Sequence, residues 1–117
     1  MRTTVILIGL ATVAVSAAPA AARDRTGYHA IAAGDLTTAE RTLTAERRIF
    51  PSRPELMLNL AAVYARTGRA AEAGSLYQTA LASDPVLMEL PNGTTQSSHD
   101  IARRGLAMLR AAVIANR

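Results

Sequence analysis

Apolar residues between positions 54 and 85 recur at the spacing of two α-helices. The first stripe follows an i, i+3, i+4, i+7 pattern and consists of Met57, Leu60, Ala61 and Tyr64. The second stripe has a similar spacing and consists of Ala73, Leu76, Tyr77, Ala80 and Leu81. Pro54 can open the first helix, Gly68 lies in the turn between the helices, and Pro85 ends the unit. The pattern predicts two antiparallel helices that cross through alanines.

A weaker copy of this unit precedes it at an offset of 34 residues. The coinciding pairs are Gly34 and Gly68, Ala39 and Ala73, Leu43 and Tyr77, and Pro51 and Pro85. A fixed period of this length is typical of stacked helix pairs, because each pair buries its apolar face only against the next one. We therefore expect residues 23–85 to contain two helix pairs, with a first helix over about residues 24–33.

The unit from Pro54 to Leu87 resembles the tetratricopeptide repeat family. The residues that carry the resemblance are Met57, Asn59, Leu60, Ala61, Tyr64, Gly68, Ala73, Tyr77, Ala80, Asp84 and Pro85. The first unit is degenerate, since Gly27, Gly34, Ala39 and Leu43 fit but Glu46 stands where the family usually has alanine. The resemblance implies an all-α fold, an α-α superhelix made of two helix pairs and a C-terminal capping helix.

The helical register is lost after Pro85. Pro91-Asn92-Gly93 is a turn signal, and we interpret residues 86–97 as a loop that tucks Val86, Leu87 and Leu90 against the helices, with a short strand as the alternative. A last helix is predicted from Ser97 or Ser98, so that residues 98–117 form the capping helix. Its expected buried stripe consists of Ile101, Ala102, Leu106, Leu109 and Val113. The prediction is five helices in total.

The N-terminal residues 1–22 have the composition of an export signal. Arg2 is followed by an apolar segment and by small residues up to Ala22, after which we expect cleavage, with Ala20 as an alternative position. The mature chain is then periplasmic or secreted from a bacterium. If the segment is not cleaved, it could instead anchor the chain in the inner membrane, and a buried helix is the third reading. No cysteine follows the segment, which excludes a thioether-linked lipid.

The charge balance is basic but does not indicate a nucleic-acid partner. All 13 positive residues are arginines, and this bias with the alanine excess is typical of a GC-rich coding sequence. Losing Arg2 with the signal lowers the formal net charge of +4 by one.

The arginines form two clusters. One lies on the last helix and consists of Arg103, Arg104, Arg110 and Arg117, and the other lies between the units and consists of Arg47, Arg48 and Arg53. They form either solvated faces or contacts to an acidic partner or anionic lipids.

No set of residues predicts catalysis, a cofactor or a metal. The two histidines, His29 and His99, have no further histidine or cysteine near them, whereas a metal site needs three or four converging ligands. Ser97-Ser98-His99-Asp100 contains the letters of a catalytic triad, but consecutive helix residues point in different directions. We interpret these four residues as a helix cap, and the protein as no enzyme.

The resemblance implies where a partner would bind. Family members usually hold peptides on the face made by the first helix of each pair. On this chain that face consists of Glu55, Leu58, Asn59, Ala62, Ala65 and Arg66, with Tyr28 or Ala32 from the first unit. The family's clamp for C-terminal carboxylates uses lysine across three repeats and is not expected here. The predicted function is binding of a protein or peptide. One alternative is a self-assembling homo-oligomeric subunit. The other is a membrane-anchored adaptor, in which the chain contacts the membrane only if the N-terminal segment is uncleaved.

Overall fold

The computed structural model describes residues 24–90 and 92–116, and it is mainly helical. The elements in chain order are α1 (Tyr28–Ala32), α2 (Leu36–Ile49), α3 (Pro54–Arg66), α4 (Ala70–Ala82), β1 (Leu87–Glu89), β2 (Thr95–Ser97) and α5 (Ser98–Ala115). The two helix pairs and the C-terminal helix confirm the predicted all-α architecture. The predicted signal peptide, residues 1–22, lies outside the described residues.

Both helix pairs turn at a glycine. Gly34 and Gly68 have φ angles of +77° and +76°, a left-handed conformation that side chains with a Cβ rarely adopt. Asp35 then caps α2, because its carboxylate accepts a hydrogen bond from the amide of Thr38 at 3.1 Å. The same short turn therefore joins the helices of each pair, as the 34-residue repeat predicts.

The core lies around α3, which packs against α2, α4 and α5. Ala61 on α3 and Ala73 on α4 are fully buried, in agreement with helices that cross through alanines. The remaining buried apolar residues are Ala39, Leu43, Leu56, Met57, Leu58, Leu60, Val63, Leu76, Tyr77, Ala80 and Ala102. Because α3 is apolar on several sides, it is the central helix of the stack.

Helix α1 is shorter than predicted. It covers only Tyr28–Ala32 rather than residues 24–33. The carboxylate of Asp24 accepts hydrogen bonds from the amides of Tyr28 and His29, at 3.0 and 2.9 Å, and Gly27 has a φ angle of +67°. These contacts hold residues 24–27 in a turn, so the helix cannot begin before residue 28.

Strands β1 and β2 form a β-hairpin within the segment predicted as a loop, in agreement with the alternative of a short strand. Strands β1 and β2 are antiparallel, with Met88 opposite Gln96. Successive strand residues point to opposite faces, so Met88 packs against the core while Leu87 is 79% exposed. The prediction that Leu87 packs against the helices was therefore wrong, whereas Val86 and Leu90 are half-buried.

Helix α5 begins at Ser98, as predicted, and Ser97 caps it by accepting a hydrogen bond from the amide of His99 at 3.2 Å. Ala102 is fully buried, and Ile101, Leu106 and Leu109 pack against the core. Val113 is 54% exposed, contrary to prediction, because the last turns of α5 extend past the helices on which it packs.

Candidate binding surface

The predicted partner-binding face on α3 is only partly open to solvent. Leu58 is 3% exposed and belongs to the core, and the side-chain amide of Asn59 donates to the carbonyl of Thr26 at 2.8 Å. Glu55, Ala62 and Ala65 are half-buried, and the exposed Arg66 donates a long hydrogen bond of 3.5 Å to the carbonyl of Ile31. The carboxylate of Glu55 lies 3.7 Å from the guanidinium of Arg53, so Arg66 carries the exposed charge of this face.

An ion pair joins α2 to the beginning of α4. The guanidinium of Arg69 makes two hydrogen bonds of 2.6 Å to the two carboxylate oxygens of Glu40. It also lies 4.4 Å from the ring centroid of Tyr64, within cation–π distance. Hydrogen bonding by Arg69 lowers the pKa of Glu40, and the carboxylate raises the pKa of Arg69 in return. The pair neutralises Glu40 and fixes the two helix pairs relative to each other.

Beside this ion pair lies an open depression of the surface that we call the arginine groove. Its wider part, about 410 Å³, is lined by Thr37, Glu40, Arg41, Thr44, Ala45 and Arg48, all on α2. It continues into a cleft of about 240 Å³ between α2 and α3, lined by Thr44, Arg47, Arg48, Leu60 and Tyr64. Within the described residues, the three arginines of the groove form no ion pair with a carboxylate.

Sequence reasoning found only part of the arginine groove. It singled out Arg47 and Arg48 but not Arg41 or the threonines. Thr37, Arg41, Thr44 and Arg48 follow an i, i+4, i+7, i+11 spacing, which places them on one polar face of α2. This periodicity was the available signal. The position of Arg69 over Tyr64 requires tertiary structure and has no such signal.

The C-terminal helix presents a second basic surface. Arg104 and Arg110 are exposed, and Arg103 pairs with Asp100 at 3.1 Å. Met108 and Ile114 on the same helix are 68% and 65% exposed. The predicted arginine stripe is thus on the outer side of α5, although Arg117 lies outside the described residues.

The histidines and the serines near them have structural contacts. The ring Nε2 of His99 lies 2.7 Å from the carbonyl oxygen of Ser83, which links the beginning of α5 to the end of α4. The hydroxyl of Ser98 accepts from the amide of Val86 at 3.0 Å. His29 is exposed beside Tyr28. In residues 24–90 and 92–116, no three metal-binding side chains lie together.

Stacked antiparallel helix pairs with glycine turns and alanine crossings define a helical-repeat protein. Residues 30–86 match the model of the tetratricopeptide repeat family, and this part of the chain belongs to that family. The match begins within α1 and ends after α4, so it covers the second helix pair and most of the first. No curated protein and no solved structure matches the chain. Proteins of this family generally act as non-catalytic modules of protein–protein interaction.

Proposed function

We propose that this chain is an exported, non-catalytic module that binds a protein or peptide in the bacterial envelope. The observation that supports it best is the pair of tetratricopeptide units over residues 30–86, since the family serves mainly protein interaction. The apolar, small-residue composition of residues 1–22 supports export. The exposed guanidinium of Arg66 and the half-buried carboxylate of Glu55 give the predicted face on α3 polar groups for a partner.

Crosslinking in the native envelope tests this proposal. The expected result is a captured protein with the wild-type chain and its loss with the double variant Glu55→Arg, Arg66→Glu. A matched control, Glu89→Arg with Arg104→Glu, leaves the net charge equally unchanged and alters exposed residues away from this face. The control should capture the same protein. Recovery of no protein by the wild-type chain would contradict the proposal.

Mass spectrometry of the N-terminus tests export and the alternative of a membrane-anchored adaptor. A mature chain beginning at Arg23 is the expected product. Among the described residues, no helix has the length and apolar character needed to cross a membrane. An intact Met1 in a membrane fraction would favour the anchored adaptor, which relies on the apolar segment of residues 1–22.

The second candidate function is self-assembly, and the exposed apolar residues of α5 favour it. Met108, Val113 and Ile114 are each more than half exposed at the end of the stack, where a further helix could pack. Sedimentation velocity at tens of micromolar distinguishes the two functions. A monomer is expected for a binding module. A dimer that Met108→Glu abolishes would instead support self-assembly through α5.

A further inference from the structure

We propose that the arginine groove binds an acidic peptide segment of the partner protein, in which carboxylates recur every third residue. This inference rests on the proposed function, because it names the chemistry of the partner. It concerns a different surface from the predicted face on α3: the groove is formed mainly by α2, the second helix of its pair.

The charges of the groove are the first argument. Arg41 and Arg48 are exposed, and the Nε atom of Arg47 is buried without a hydrogen-bond partner in the described part of the chain. The single carboxylate of the groove, on Glu40, is already held by Arg69. Guanidinium groups bind carboxylates through paired hydrogen bonds, which makes a carboxylate-bearing ligand the matching one.

The spacing of the arginines is the second argument. Arg41 and Arg48 are seven residues apart on one helix, which corresponds to about 10 Å along the helix axis. In a polyproline II segment, residues three apart lie on the same side and about 9 Å from each other. A peptide with acidic side chains at every third position can therefore reach both guanidinium groups at once.

The groove also has apolar contacts for such a peptide. The half-buried Tyr64 lines its inner part above the buried Leu60, and the exposed Ala45 lies beside Arg41 and Arg48. Ile49 follows Ala45 by one helical turn and is 65% exposed. Small apolar side chains between the acidic positions of the peptide can pack on these residues, which adds to the affinity that the charges give.

A second copy of this chain does not have the matching segment. The nine acidic residues of the sequence are Asp24, Asp35, Glu40, Glu46, Glu55, Glu72, Asp84, Glu89 and Asp100. No two of them are three positions apart. The arginines follow one side of α2 and lead into the narrower cleft between α2 and α3, a path that a single peptide strand can follow, so the proposal commits to a peptide.

The test is a fluorescence-anisotropy titration of the mature chain with a labelled peptide of three Glu-Pro-Ala repeats. Its matched peptide carries glutamine in place of each glutamate. We expect saturable binding of the acidic peptide only, weakening as salt is added. Arg41→Glu with Arg48→Glu should weaken binding at least about tenfold, because repulsion replaces two ion pairs. Arg103→Glu with Arg110→Glu on α5 changes the net charge equally and should change affinity less than about twofold.

Several outcomes would overturn the inference. If the two double variants weaken peptide binding equally, the peptide is attracted to positive charge in general and not to the groove. If the glutamate and glutamine peptides bind equally well, the groove does not recognise carboxylates. Binding of phosphatidylglycerol vesicles, lost in the groove variant while the peptide fails to bind, would assign the groove to lipid. Thermal melts show whether the variants fold, and Arg41→Gln with Arg48→Gln is the milder replacement.

Envelope crosslinking separates this inference from the proposed function. If the groove variant captures the same protein as the wild-type chain, the groove is not the site but the interaction function stands. If the wild-type chain captures nothing, the proposed function fails, and the peptide titration still decides whether the groove binds acidic segments.

Discussion

At the scale of single residues, the side chain of Arg69 contacts α2, α3 and the turn that follows α3. It bonds both oxygens of Glu40, donates to the hydroxyl of Thr67 at 3.2 Å, and stacks over Tyr64. A guanidinium can satisfy these partners together because its donors lie in one plane and its face is free for stacking. The first and second helix pairs are therefore joined by polar contacts as well as by the apolar core.

Replacing Glu40 with glutamine should make the chain less stable at neutral pH. The pKa of Glu40 is lowered below its ordinary value of 4.5, mainly by the hydrogen bonds from Arg69. A carboxylate whose pKa is lowered on folding stabilises the fold when the pH is above its ordinary pKa. This contribution is lost as the pH falls through the lowered pKa of the folded state. Both side chains are about one-third exposed, so we expect a decrease in Tm of only roughly 1–5 °C at pH 7.

Thermal melts from pH 7 down to pH 3 measure this effect. The difference in Tm between the wild type and Glu40→Gln should shrink as the pH falls below 4.5. Asp35, whose pKa is lowered mainly by its side-chain hydrogen bond to Thr38, contributes equally to both proteins and cancels. A difference that stays constant over this range would show that the ion pair does not stabilise the fold.

The buried hydroxyl of Ser98 should matter more than its size suggests. It accepts from the amide of Val86, and the Ser98 amide donates in return to the carbonyl of Val86 at 2.8 Å. Ser98→Ala leaves the Val86 amide without its partner, which we expect to cost about 1–2 kcal/mol in urea unfolding. Ser75→Ala, an exposed change on α4, should stay within about 0.5 kcal/mol. Equal effects of the two substitutions would contradict the role of this contact.

At the scale of elements, α5 attaches to α4 through a glycine. Gly105 faces the ring of Tyr77, and a Cβ at this position would overlap three ring carbons. Tyr77 is 7% exposed, and burial raises the pKa of its hydroxyl. The absence of a side chain at residue 105 therefore allows the capping helix to approach the last repeat closely.

Two glycine-to-alanine substitutions inside helices should have opposite effects. At Gly74 the nearest atom to an added Cβ is Cδ1 of Leu109 at 3.9 Å, an ordinary contact. Gly74→Ala should therefore raise the free energy of unfolding by up to about 1 kcal/mol through helix propensity. Gly105→Ala gains the same propensity but must displace Tyr77, and we expect a net loss of roughly 1–3 kcal/mol. Urea unfolding measures both, and stabilisation by both would refute the close contact.

The elements also show what the sequence could predict. Helices α3 and α4 follow from their stripes because Pro54, Gly68 and the alanine crossings all favour the same structure. The start of α1 could not be predicted, because Asp24 acts through hydrogen bonds that have no periodicity. Strands of three residues are too short for an alternating pattern, so the hairpin was interpreted as a loop.

The candidate site was harder to predict than the fold. Leu58 was assigned to the binding face from the family resemblance, but in this short stack it is buried. The arginine groove depends on which face of α2 stays open and on the neutralisation of Glu40 by Arg69, which is 29 residues away in sequence. The local spacing of apolar residues predicts where helices form. The burial and ion pairing of surface residues depend instead on contacts between residues that are distant in sequence.

At the scale of the whole molecule, stability is distributed along a short stack. Each helix contacts mainly its neighbours, so the free energy of the fold is close to a sum over adjacent contacts. Helix α3 has packed neighbours on several sides, whereas α1 has no buried residue and the last turns of α5 are exposed. We therefore expect the ends of the stack to open more readily than its centre.

Hydrogen–deuterium exchange followed by mass spectrometry should reveal this gradient. Amides of α3 should exchange only through global unfolding, while those of α1 and residues 110–116 exchange much faster. Gly105→Ala weakens the contact between α5 and α4, so amide exchange in α5 should become much faster. Exchange in α2 should become faster only by the amount that corresponds to the loss of global stability. Because coupling passes through adjacent contacts, a variant in which all five helices speed up equally would show one cooperative unit instead of a stack.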